Sequence, residues 1–123
     1  MRALLIALAI MVAPVGALAD DAGKASVTDV EVTRTGTDTF RFTVTIASEE
    51  RGWDYYADAF EIVGPDGDVL ATRTLHHPHV DEQPFTRSLT GVNIGPDIDE
   101  VTVRAHHHPE GYDGRTMTVT LPR

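Results

Sequence analysis

Apolar residues in this chain recur at every second position. Phe40, Phe42, Val44 and Ile46 alternate with Arg41, Thr43 and Thr45. A period of two places alternate side chains on opposite faces of a pleated strand, so the segment fits a strand with one buried face. Val101, Val103 and Ala105 repeat the pattern against Thr102 and Arg104, and Met117, Val119 and Leu121 repeat it against Thr116, Thr118 and Thr120. Weaker strands are predicted at 25–34, 57–63, 69–75 and 85–92. In the first of these Val27 is out of phase with Val30 and Val32, which predicts a bulge or bend. From residue 20 onward there is no apolar stripe of period 3.6, so the pattern offers no core-facing helix.

Turn chemistry separates these segments. Gly64-Pro65-Asp66-Gly67-Asp68 reads as a hairpin turn, with proline presetting φ and glycine supplying a positive φ. Arg34–Asp38 with Gly36 is a second tight connection. Asn93–Asp99, with Gly95-Pro96, is expected to cross between sheets, and Gly111 and Gly114 mark a loop before the last strand. Seven short strands, at 25–34, 39–48, 57–63, 69–75, 85–92, 99–106 and 115–121, fit an all-β antiparallel sandwich. In strand count and spacing it resembles immunoglobulin-like and fibronectin type III-like domains, although the cysteine pair with its packed tryptophan is missing. The segments Trp53–Asp58 (WDYYAD) and His76–Ser88 (HHPHVDEQPFTRS) are similar to a pattern of small exported bacterial proteins of unassigned function. That resemblance implies export and a single domain, and no particular activity.

Residues 1–19 read as a signal peptide. Arg2 opens it, Ala3–Val12 is an unbroken apolar run, Pro14-Val15-Gly16 breaks the run, and Ala17-Leu18-Ala19 matches a small-x-small cleavage site. The apolar run is too short to span a bilayer as a helix. Cleavage is expected to leave one β-sandwich domain, residues 20–123, in the periplasm or secreted. Loss of Arg2 takes the net charge from −9 to −10. Such a surface disfavours nucleic acid and anionic membranes and favours cations. The sequence has no cysteine, which removes disulfides, thiolate chemistry and a thiol that could carry a lipid.

Alternating strand directions predict that connections 49–56, 76–84 and 107–114 gather at one end of the sandwich. The Gly64–Asp68 turn and the Asn93–Asp99 crossing fall at the other. All six histidines lie in two tracts, His76-His77-Pro78-His79 and His106-His107-His108-Pro109, and this parity brings both to the same end. Imidazole is the commonest transition-metal ligand. The expected reading is therefore a metal-binding carrier or sequestering protein, with His77, His79, His106 and His108 as ligands for Zn, Cu(II) or Ni. His76, His107, Asp81, Glu82 and Glu110 are further ligand candidates. Strand alternation through residue 108 points His107 to the core and His106 and His108 outward. Asp54, Asp58 and Arg87 are expected to orient the ligands from behind. Met117 is expected to face the core, which argues against a Cu(I) thioether site.

The alternative is a noncatalytic recognition domain. Trp53, Tyr55, Tyr56 and Tyr112 at the same end would bind another exported protein or a glycan. An enzyme ranks last. No serine or cysteine nucleophile has a recognisable setting, no His-Glu-x-x-His helix exists, and so small a sandwich seldom provides a deep pocket.

Overall fold

A computed structural model describes residues 24–123. The predicted signal peptide and its cleavage site at Ala19 lie outside the described residues. Seven strands follow one another: β1 (Ala25–Gly36), β2 (Thr39–Ser48), β3 (Tyr56–Val63), β4 (Val69–Thr74), β5 (Phe85–Asn93), β6 (Glu100–His108) and β7 (Met117–Thr120). They form two antiparallel sheets, ordered β1-β2-β5 and β4-β3-β6-β7, and no helix occurs among the described residues. The alternation decides the layering. Phe40, Phe42, Val44 and Ile46 from β2 face Phe60, Ile62, Val101 and Val103 from the other sheet, all essentially without solvent contact. Each such side chain, taken fully out of water, contributes about 1.5–3 kcal/mol. Met117 is partly buried and packs against this core.

The phase slip in β1 is a bulge between Val27 and Asp29, as its sequence predicts. Its effect is to close one side of the sandwich. Ala25, Ser26 and Val27 are all buried. They pair with β2 on one side, while the Val27 amide donates to the Arg115 carbonyl (2.9 Å) beside the second sheet. The start of β1 thus covers edges that would otherwise be open. Gly114 makes this approach possible, because a Cβ there would stand 1.8 Å from the Ala25 carbonyl oxygen.

At the far end, the Gly64–Asp68 turn closes with Gly67 at φ +89° and Gly64 N–H donating to the Asp68 carbonyl. In the connection from β1 to β2, Asp38 rather than Gly36 takes the left-handed conformation, at φ 57°. Arg123 holds that residue through a 2.9 Å bond from Nη1 to Asp38 Oδ1.

One expected boundary is corrected. The sixth strand continues to His108 instead of stopping at residue 106, because Tyr56 pairs with His108 and Ala57 with His107 across β3 and β6. The second histidine tract therefore lies in a strand and not in a loop, and its side chains alternate between core and solvent.

Candidate functional site

The three connections predicted to share an end do so, and Glu50 fastens two of them. Its carboxylate accepts from Ser48 Oγ, from the Ala57 amide and from the His79 amide. The loop before β3, the start of β3 and the loop after β4 thus meet on one side chain. Gln83 adds a second tie, accepting from Ser48 N–H (2.9 Å) and donating to the His79 carbonyl (2.9 Å). Bonds to a charged acceptor are worth about 1.5–3 kcal/mol each, so this end is built to be stiff. Neither Glu50 nor Gln83 was singled out from sequence.

His107 faces the core, as alternation predicts, and is fully buried. Its Nε2–H donates to the Glu49 carbonyl (2.8 Å), and its Nδ1 accepts from the Glu110 amide (3.4 Å). With Tyr55 edge-on at 4.5 Å, the ring is a satisfied packing group. Both nitrogens are occupied, so His107 has none left for a metal.

The outer face of the four-stranded sheet carries a polar and aromatic row. A bulge between Ala57 and Ala59 leaves Asp58 as the extra residue on β3. Bulges re-aim side chains, and here Asp58 Oδ1 accepts from His106 Nδ1 at 2.6 Å. Tyr112 packs edge-on against His106 (4.8 Å) and donates its hydroxyl to Glu61 Oε2 (3.0 Å). Arg104 pairs with Glu61 at 2.8 Å and covers the Tyr112 ring at 4.1 Å. Burial, and then the bond to Glu61, raise the Tyr112 phenol above its ordinary pKa. The row continues through His108, whose ring lies 6.3 Å from Tyr56, to Trp53, 5.9 Å from Tyr56. Trp53 is 64% exposed.

On the other side of the same end, Trp53 and the turn His77–Glu82 line an open groove. His79 is buried, 5% exposed, and stacks on Phe85 with ring centres 4.1 Å apart and planes 11° apart. Both of its ring nitrogens are buried without a hydrogen-bond partner among the described residues. The His77 ring lies 4.7 Å away, and its Nδ1–H donates to the Pro78 carbonyl (3.1 Å). Burial, and then the positive Arg87, lower the His79 imidazole below its ordinary value. Arg87 pairs with Glu82 at 3.2 Å and keeps part of its side chain in water.

The four principal ligand candidates therefore fall into two pairs. His77, which is exposed, and His79, which is buried against Phe85 of β5, line the groove. His106 and His108 lie on the outer face of β6. The tracts share an end of the molecule but face different ways. Among the described residues no three His, Asp or Glu side chains are grouped closely enough to hold a metal ion. His76, Asp54, Asp81 and Glu110 are exposed around this end. Glu61 and Arg104 were missed from sequence, although both sit at outward positions of strands with clear alternation.

No protein-family model matches the chain, and no solved structure matches it. One curated relative, a protein of Halomicrobium mukohataei named "Putative lipoprotein", is 36% identical over 99 residues. The match covers 80% of this chain and 48% of the relative, so the chain spans about half the length of the protein it resembles.

Proposed function

We propose that this chain is a noncatalytic recognition domain of an exported protein, and that it binds another exported protein through the end that carries Trp53. The reading rests on one observation above others. Among the described residues, three of the four large apolar side chains that stand exposed, Trp53, Val80 and Tyr112, are gathered at this end, on loops and strand ends cross-tied by Glu50, Gln83 and His107. Tryptophan and tyrosine held on a stiff frame bind with little entropy lost on ordering. Export is supported by the leader-like residues 1–19 and by the name of the relative. The strand order, three facing four with β4 joined to β3, supports a fibronectin type III-like reading of the sandwich.

The fourth exposed apolar residue, Val69, stands at the opposite end and supplies the control. A photoreactive crosslinker beside Trp53, used in the exporting cell, should capture a partner whose yield falls at least tenfold in Trp53→Ala and is unchanged in Val69→Ala. Equal loss in both variants, or capture indifferent to Trp53, overturns the reading. Binding of purified glycans that depends on Trp53, with no protein captured, would move the assignment to carbohydrate.

A further inference from the structure

We infer that His77 and His79 form a two-imidazole site for a divalent transition metal, opening into the groove beside Trp53. This goes beyond the recognition reading and does not depend on it. It also replaces the four-histidine centre expected from sequence with one pair.

Three observations carry it. First, His79 is an anomaly as a packing residue. A neutral imidazole has one N–H donor and one lone-pair acceptor, and here both are buried and unpaired. Buried polar groups are nearly always satisfied, and an exception calls for a partner that completes it. His107 shows the contrast within the same molecule, since both of its nitrogens are bonded.

Second, His77 is already arranged as a ligand. Metal-bound histidines commonly donate the second ring N–H to a carbonyl, which fixes the tautomer. His77 Nδ1–H does this to Pro78 O, leaving the Nε2 lone pair free to coordinate.

Third, the spacing fits. With metal–nitrogen bonds of about 2.0–2.1 Å, ring centres stand about 3.2 Å from the ion. Two such rings are then about 4.5 Å apart at a right angle and about 5.2 Å apart at the tetrahedral angle. The observed separation is 4.7 Å, which falls within this range. His77 is exposed, which leaves the pair open to an ion arriving through the groove. The remaining positions face the groove, where Glu82 is held by Arg87 and Asp81 is exposed. Water would fill them. Two nitrogen donors with open positions suit Cu²⁺, Ni²⁺ or Zn²⁺ and not the softer Cu⁺.

Trp53 is the only tryptophan in the chain and lines the same groove, so it reports directly. Titrating the purified, tag-free protein with Cu²⁺ should quench Trp53 fluorescence saturably at one ion per chain, and excess chelator should restore it. His77→Ala and His79→Phe should each weaken binding at least tenfold, while His106→Ala with His108→Ala leaves it unchanged. Far-ultraviolet circular dichroism confirms that each variant is folded, and His77, being exposed, is a substitution the fold tolerates. The inference is overturned if no saturable quenching occurs below about 1 mM Cu²⁺. It is equally overturned if quenching survives in both groove variants, or if it is lost on removing His106 and His108.

Discussion

Replacing His79 by phenylalanine should make the protein more stable. The native ring already stacks on Phe85 at 4.1 Å, nearly coplanar, so an aromatic hydrocarbon can keep that contact. What disappears is a buried donor and a buried acceptor without partners, which together cost about 1–3 kcal/mol. The larger ring returns about 1 kcal/mol of that in crowding. A net gain of about 1 kcal/mol should raise Tm by roughly 4–8 °C for a domain of this size. Acid should widen the difference. Burial first, and Arg87 second, hold the folded imidazole below its ordinary value of 6.5. Above that pH both folded and unfolded chains carry a neutral ring and protonation contributes nothing. As pH falls below it, the unfolded chain takes up the proton first, and native stability drops until the folded value is reached. The phenylalanine variant has no such loss at this position. Thermal and urea unfolding at pH 8 and pH 5, with chelator present, measures both effects. If His79→Phe is less stable at pH 8 and the two proteins lose stability equally on acidification, the ring nitrogens are satisfied in solution and the reasoning fails.

Glu50→Ala should cost about 3 kcal/mol, because the Ala57 and His79 amides lose a charged acceptor together. Faster hydrogen exchange at those two amides, beyond the global change, is the specific readout. Gly114→Ala should cost about 3 kcal/mol or more in urea unfolding, since the new Cβ meets the Ala25 carbonyl, which is backbone and cannot move aside cheaply. Trp53→Ala, by contrast, should change stability by less than about 0.5 kcal/mol given the exposure of the ring. A large loss there would make Trp53 a packing residue and remove its role in recognition.

The fold was legible because alternation is a strong signal wherever the inward residues are large. Phe40 to Ile46 and Val101 to Ala105 mark β2 and β6 without ambiguity, and the out-of-phase Val27 marks a bulge that the structure contains. The same kind of slip lies in β3, where the inward residues Ala57 and Phe60 are three apart. It passed unread because alanine is too small to announce a face. That bulge is what turns Asp58 toward His106, so the best-formed contact of the outer row was hidden behind a single small side chain. The end of β6 was misplaced for a related reason. Histidine reads as a loop residue, yet His107 fills a core position by giving each nitrogen a backbone partner.

Parity along the chain brought both histidine tracts to one end, but sharing an end does not settle which way side chains face. That depends on how a loop folds over the sandwich. The loop after β4 is drawn inward by Glu50 and Gln83, which hold the backbone of His79 while Phe85 receives its ring. No periodicity encodes those contacts, since a glutamate in one connection and a glutamine in another carry no sequence mark of meeting the same residue. The strand holding His106 and His108 obeys alternation and turns them outward. The consequence is a molecule whose shared end has two faces. One is a hydrogen-bonded row of Asp58, His106, Tyr112, Glu61 and Arg104 in which each residue has a partner. The other is a groove holding one imidazole with none. Unmet hydrogen-bonding capacity, and not a count of histidines, is what distinguishes the groove from the outer row.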